Sequence, residues 1–503
     1  MTSPFALAGG ISGPHENLHP LLTVVVDALA KGAATRGGPI PAGTPAEMDA
    51  LVRRTLGDPA PGTGTGATEA LRTLTELLAR GAADPADPAC AAHLHCPPLA
   101  VAVAAELAAA TLNQSLDSWD QSPAASAMEP LVIRALAGLA GYRGPAADGV
   151  VTSGGTESNL MGLLFARDHA LRAHRNVDAS RSGVPADARP AVFCSASAHF
   201  SVARNAGFLG LGEDCVVPVP TDELHRMRPD ELRRAIAAAV GEGRLPMAIV
   251  ATAGTTDLGA IDPLPEIAVI ARENEVWFHV DAAFGGGALF SDRLRPLLRG
   301  IAEADSIGLD LHKLGWLPVA AGVFLSRDAA RFSVIDRRVE YLISDDDHDA
   351  GYPSLLGHSL RTTRRPDVFK LAVTLRALGT EGLGRLVERC HELARYAASE
   401  VRLRPRLKLH STPTLSTVLF QFSTPVHATD TAERNRLNSE LRRDLLRTGT
   451  AVIGRTEFDG EVWLKLTLLN PHTTERDLDA LLDSVAQAGE RLLTADPLPA
   501  VLA

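Results

Sequence analysis

Lysine is scarce in this chain: Lys31, Lys313, Lys370, Lys408 and Lys465 are its only examples, and arginine carries the remaining positive charge. One of them stands in Asp310-Leu311-His312-Lys313-Leu314-Gly315-Trp316, directly after the apolar stretch Ser306 to Leu309, which reads as a buried strand. Lysine, unlike arginine, can lose its proton and condense with a carbonyl to form an imine. A lysine placed at a strand end in an arginine-using chain points to covalent catalysis.

Four further polar constellations follow apolar runs. Ser153-Gly154-Gly155-Thr156-Glu157-Ser158-Asn159 leads straight into a helical pattern. Its small residues let a ligand approach the backbone, and free N–H groups at a helix start attract phosphate. An ordinary glycine turn with a threonine cap is the structural alternative. Ser197-Ala198-His199-Phe200-Ser201 offers an imidazole, which can stack on a flat ring or move protons near neutral pH. Ala253-Gly254-Thr255-Thr256 supplies a hydroxyl and a tight turn before Asp257 to Asp262. The run Val276 to Val280 ends at Asp281-Ala282-Ala283-Phe284-Gly285-Gly286-Gly287. A carboxylate there is costly unless it meets a cation.

These groups need elements to carry them. Short apolar runs alternate with helical patterns from about 145 to 330, the mark of a mostly parallel α/β sheet. The predicted strands are 149–152, 191–195, 247–251, 276–280, 306–309 and 322–326, with a helix over 230–240. Ligands bind beyond the carboxyl ends of such strands, where all five constellations fall. Residues 1–90 read as a helical, dimer-contacting N-terminal segment, 91–370 as a large α/β domain and 371–503 as a smaller C-terminal α+β domain with strands at 416–422 and 462–468 and a final helix over 474–492.

At 503 residues the chain can bury a large core, and a net charge of −11 argues against general binding to nucleic acid or anionic membranes. No apolar run reaches membrane-spanning length, and Met1-Thr2-Ser3-Pro4 lacks the basic start of a secretion signal. Five scattered cysteines suit reduced thiols in a cytoplasm. No metal site is expected, since His93-Leu94-His95-Cys96 has no second ligand pair at zinc spacing.

A phosphate cradle, a ring-stacking histidine, a buried aspartate and an imine-forming lysine are together what pyridoxal 5'-phosphate requires. The chain resembles the pyridoxal-phosphate amino-acid decarboxylases of the glutamate/aromatic amino acid group. The matching segments are Thr152 to Leu160 (TSGGTESNL), His199 to Ser201, Gly254 to Asp262, His279 to Gly286 (HVDAAFGG) and Asp310 to Lys313 (DLHK). Within that group it is most similar to the bacterial diaminobutyrate and lysine decarboxylase branch, through Asn113 to Ala125, Asp310 to Trp316, Ser359 to Arg365 and Leu466 to Pro471.

The resemblance implies an aspartate-aminotransferase-like (type I) fold, working as a homodimer with sites at the subunit interface. It implies a Schiff base at Lys313, a pyridinium partner at Asp281, His199 stacked on the ring and Ala283 on the other face. Gly155 and Thr156 would hold phosphate, with Thr255 and His312 close by. Tyr352 follows the acidic stretch Asp345-Asp346-Asp347-His348-Asp349 and is a candidate proton donor to Cα, or else a surface aromatic beside Pro353. Arg364 is a candidate partner for a carboxylate or for that stretch. Phe284 stands where this branch suggests tyrosine. The expected reaction is decarboxylation of a basic or diamino L-amino acid to the amine and CO2; oxidative decarboxylation to an aldehyde, another carbon–carbon lyase reaction on the same scaffold and a catalytically silent cofactor-binding homologue are the alternatives.

Overall fold

The computed structural model describes residues 3–336, 346, 349–424 and 430–494. The segment 345–349 singled out above therefore lies largely outside the described residues. By its contacts the chain forms two compact units, 1–97 with 392–503, and 98–391. Sequence texture alone suggests three segments, divided at 90 and 370.

In the unit that holds both chain ends, three helices come first: His19–Arg36, Pro45–Leu56 and Ala67–Gly81. The second opens with a capping box, Thr44 and Glu47 satisfying each other's backbone N–H groups. Gly32 lets the first and third helices cross closely, since a Cβ there would stand 2.7 Å from that of Ala79. A two-residue strand, β1 (Cys90–Ala91), pairs with a C-terminal strand described below.

The other unit is built on a seven-stranded sheet: β2 (Asp148–Thr152), β3 (Pro190–Ser195), β4 (Val216–Val219), β5 (Leu245–Thr252), β6 (Trp277–Ala282), β7 (Ser306–Asp310) and β8 (Gly322–Ser326). The order is β2-β8-β7-β6-β5-β3-β4. All neighbours are parallel except β8, which runs against both β2 and β7. The apolar runs locate six of the seven strands. They miss β4, whose Pro218 and part-exposed valines give no clean signal. Continuous burial of β5 to β8 explains why those runs do not alternate.

Helix Gly155–Arg175 packs on this sheet, burying Met161, Leu163 and Phe165 completely; each such side chain contributes roughly 1.5–3 kcal/mol. The helical stretch Val368–Leu403 is interrupted at Gly379, where φ is +66°. Beyond it, β9 (Leu407–Leu409), β10 (Thr417–Phe422), β11 (Val452–Phe458) and β12 (Glu461–Thr467) form a second sheet in the order β1-β11-β12-β10-β9. Helices Thr431–Arg447 and Glu475–Thr494 complete this unit. Among the described residues no helix is long and apolar enough to cross a membrane.

Arg364, a candidate partner for a carboxylate or for the acidic stretch, is fully buried and meets a carboxylate of the fold: its Nη1 lies 2.6 Å from both oxygens of buried Glu129. Glu129 Oε1 also accepts from the Val151 N–H, which ties the pair to β2. Removing one partner of such a pair leaves an uncompensated buried charge. Glu129→Ala is expected to lower stability by about 3–5 kcal/mol, measured by urea unfolding of the cofactor-free protein.

Candidate active site

Strands β2, β3, β5, β6 and β7 all run the same way, so their carboxyl ends share one edge of the sheet. Register brings the ends together: Thr252 pairs with Asp281, Asp281 with Gly308, and both Thr152 and Asp310 with Gly322. Gly322 has to be small, because a Cβ there would stand 2.4 Å from Thr152 Oγ1 and 2.5 Å from Gly154 Cα. Its lack of a side chain lets the loop after β2 lie beside the end of β7.

Lys313 sits in a tight turn closed by the Leu311 N–H donating to Ala321 O (2.7 Å) and the Leu317 N–H donating to Leu311 O (3.0 Å). Trp316, fully buried, anchors that turn. Lys313 Nζ lies 2.9 Å from Asp310 Oδ2, with 19% of its side chain exposed. Lys370, a second buried lysine of this unit, is enclosed by Glu106 (2.5 Å) and Asp367 (3.1 Å) and reads as structural. Asp310 is buried, and its Oδ1 has no hydrogen-bond partner among the described residues.

Helix Gly155–Arg175 begins at this edge, and no side chain caps it. Its first N–H groups have no intrahelical acceptor. Gly154 adopts φ +153°, a conformation that side chains resist. A Cβ at Gly155 would stand 2.9 Å from Ala283 Cβ and 3.2 Å from Asp310 Oδ2, and one at Gly154 would stand 3.1 Å from His312 Cε1. The glycine loop therefore packs close against Ala283, Asp310 and His312. Glu157 clamps the loop: Oε2 accepts from the Ser153 N–H (2.7 Å), and Oε1 pairs with Arg361 (3.1 Å), which also donates to Val151 O. Sequence reasoning misses this salt bridge, because 204 residues separate its partners.

Asp281 is 6% exposed. Its Oδ1 accepts from the Ala283 N–H (3.1 Å) and its Oδ2 from Asn159 Nδ2 (2.7 Å). No cation pairs with it among the described residues. His199 is half-buried, with Nδ1 2.8 Å from Ser201 Oγ. Burial holds its pKa below the ordinary value; Asp281 opposes that shift and Lys313 adds to it, so all three share one electrostatic environment. His312 is likewise lowered by burial, against the pull of Asp310, and its Nδ1 accepts from the Ala321 N–H (3.2 Å).

Two other expected residues are used by the fold. Thr255 Oγ1 accepts from the Ala260 N–H (3.0 Å) and closes its own turn. Thr156 is exposed, and its carbonyl accepts from Asn205 Nδ2 (2.9 Å). Tyr352, 47% exposed, packs edge-on against Trp119 with ring centroids 5.2 Å apart. Among the described residues its hydroxyl makes no hydrogen bond, so nothing ties it to Lys313, Asp281 or His199. Asn159, which touches Asp281, Ser201 and His279 at once, is the residue of this edge to which sequence reasoning gives no role of its own. The one available signal is an asparagine in the second turn of a helix, just before the apolar run Leu160 to Ala166, where it disfavours helix unless its side chain has partners.

An α/β sheet with a lysine, a buried carboxylate and a glycine-rich helix start at one edge defines a fold type I cofactor enzyme. The sequence of residues 54–423 matches the pyridoxal-dependent decarboxylase conserved domain. The chain is 41% identical over 479 residues to L-2,4-diaminobutyrate decarboxylase of Rhizobium meliloti (strain 1021), covering 95% of this chain and 92% of that protein. It is 38% identical over 443 residues to the Acinetobacter baumannii protein of the same name, covering 86% of each. A crystal structure of the glutamate decarboxylase domain of diaminobutyrate-pyruvate transaminase and L-2,4-diaminobutyrate decarboxylase from Vibrio parahaemolyticus superposes with a TM-score of 0.86 at 32% identity, covering 96% of this chain and 98% of that one. The chain belongs to the pyridoxal-dependent decarboxylase family and is a carboxy-lyase acting on an amino acid with pyridoxal 5'-phosphate.

The residues fit that cofactor. The uncapped glycine-rich helix start suits a phosphate, the buried Asp281 without a cation suits a protonated ring nitrogen, and Asp310 Oδ1 offers a buried atom with hydrogen-bonding capacity to spare. His279, fully enclosed behind Asp281, has its pKa pushed down by burial to about 4. Between about 4 and the ordinary histidine value near 6.5, the unfolded chain binds a proton that the folded chain refuses, so stability falls as pH drops through that window. Buried Asp262, raised by burial to about 6, works in the opposite sense. Comparing His279→Gln with the parent isolates the histidine: the acid-side slope of the urea midpoint is expected to flatten, by on the order of 1–3 kcal/mol across the window.

Proposed function

We propose that the enzyme decarboxylates a diamino L-amino acid, L-2,4-diaminobutyrate first among them, to the corresponding diamine and CO2. What carries the reading is the 41% identity across nearly the whole chain to a protein bearing that name. The −11 net charge agrees with a cationic substrate through long-range attraction.

Bound pyridoxal phosphate supplies an electron sink for the pair left on Cα when CO2 departs. In this reading Lys313 would hold the cofactor through Nζ, and Asp310 Oδ2, 2.9 Å from that nitrogen, steadies the lysine at the sheet edge. Asp281 holds a proton on the ring nitrogen, which keeps the sink strong. His199 and Ala283 would flank the cofactor ring. Gly155 and Thr156 present backbone N–H groups to the phosphate, with His312 and Thr255 lining the same edge. Tyr352, exposed and packed edge-on against Trp119, is the proposed proton donor to Cα. The family pattern also supports a homodimer with sites at the subunit interface.

Two experiments test the reading. Purified enzyme with pyridoxal phosphate is offered a panel of diamino, acidic and aromatic L-amino acids, and amines, CO2, ammonia and peroxide are measured. Diamine and CO2 from the diamino acids are expected; exclusive turnover of an acidic or aromatic substrate, or release of ammonia and peroxide, overturns it. Lys313→Ala is expected to lose the visible absorbance of lysine-bound cofactor and all measurable turnover, and a variant that keeps that band removes Lys313 from the role.

A further inference from the structure

We infer that Asn159 is a positioning residue whose single amide fixes both the Asp281 carboxylate and the tautomer of His199. The inference rests on reading Asp281 as the partner of the cofactor's ring nitrogen.

The donors and acceptors around Asn159 admit one consistent assignment. Trp277 Nε1–H, which can only donate, points at Ser306 Oγ (3.0 Å). The Asp281 carboxylate can only accept, so the Asn159 NH2 group faces it and Oδ1 faces His279 Nε2, which leaves His279 Nδ1 to accept from the Ser306 hydroxyl (2.8 Å). His279 is fully buried, and burial keeps it neutral, so its one proton is on Nε2, donating to Asn159 Oδ1 (3.0 Å). The Asn159 NH2 group thus meets Asp281 Oδ2 (2.7 Å) and Ser201 Oγ (3.0 Å). Ser201 Oγ, having accepted, donates to His199 Nδ1 (2.8 Å), which also receives the Ser201 N–H (3.3 Å). His199 therefore carries its proton on Nε2. A reversed amide would set Oδ1 against a carboxylate and NH2 against an N–H.

The backbone is shaped around this chain. A Cβ at Gly162 would stand 2.6 Å from His279 Nδ1, and one at Gly308 would stand 3.0 Å from Ser158 Cβ and 3.6 Å from Asn159 Oδ1. Both glycines let helix Gly155–Arg175 lie close enough to β6 and β7 for one amide to reach both sites. Five side chains are thereby spent on aiming two. A buried polar network of this kind is stabilising only when every member is satisfied, and here each of the linking atoms is.

Asn159→Asp tests the inference, because it preserves shape and replaces the donor with a second carboxylate. Cofactor-stripped protein is titrated with pyridoxal 5'-phosphate across pH. The dissociation constant is expected to rise roughly ten- to hundred-fold at alkaline pH, the worth of a hydrogen bond to a charged group, and to recover as pH falls, when one proton shared by the two carboxylates restores the bond. A purely steric role would give no such pH dependence, and affinity that tracks the parent at every pH overturns the inference. Ser201→Ala cuts only the branch to His199: it is expected to shift the pH profile of kcat/KM while disturbing cofactor affinity less than Asn159→Asp does, and an unshifted profile overturns the His199 half. Asp281→Asn separates the two levels. If it binds cofactor and turns over like the parent, the reading of Asp281 fails; if it is crippled while Asn159→Asp is normal, that reading stands and only Asn159 loses its role. Should Asn159→Asp not fold by circular dichroism, His279→Gln and His279→Leu decide. Gln keeps a donor facing Asn159 Oδ1 and is expected to retain cofactor affinity that Leu loses, and equal effects overturn the inference.

Discussion

A carboxylate at the end of a fully buried strand has to be satisfied, and much of the site follows from how Asp281 is. Burying an ion without compensation costs several kcal/mol even after the protein relaxes. Two neutral donors, Asn159 Nδ2 and the Ala283 N–H, meet Asp281 directly, and no cation does among the described residues. Neutral donors steady the charge without quenching it. That suits a group whose partner in the working enzyme is a protonated ring nitrogen.

The same economy appears at the neighbouring strand end. Asp310 sits between Lys313 and the glycine loop, one oxygen paired with the ammonium and the other buried with no hydrogen-bond partner among the described residues. Small residues make these approaches possible: Gly155, Gly162, Gly308 and Gly322 each stand where a Cβ would collide with a side chain or backbone of the site. The loop after β2 is held from outside by Glu157 and Arg361, and β2 itself by the buried Glu129–Arg364 pair. Charge pairing thus supports the scaffold and joins Lys313 to Asp310, while Asp281 and His199 are held by hydrogen bonds and close packing.

How legible all this is in the sequence varies with the range of the interaction. Strands β5 to β8 announce themselves because strands covered on both faces are continuous apolar runs, the parallel β5 to β7 and the antiparallel β8 alike. Helices 230–240 and 474–492 are readable from local periodicity and are met within two residues. Strand β4, the two-residue β1 and the C-terminal β11 are not: β1 owes its pairing to a partner far along the chain, β4 carries Pro218 and part-exposed valines, and the second half of β11 is polar and partly exposed. Arg364 shows the same limit at a single residue: its chemistry suggests a ligand, and its partner, Glu129, is 235 residues away.

The sequence by itself determined the chemistry on offer. A lone lysine after a buried strand, an aspartate ending another and a glycine-rich helix start are local patterns, and their order carries the family's mark. Tertiary structure alone decided which of those groups touch and which way each points. Lys313 meets Asp310, Thr255 closes its own turn, and Asn159 joins Asp281 to His199. The reason is physical: residue types and spacing are written along the chain, whereas register, side-chain direction and hydrogen-bond polarity arise only when distant strands and helices pack within a few ångströms of each other.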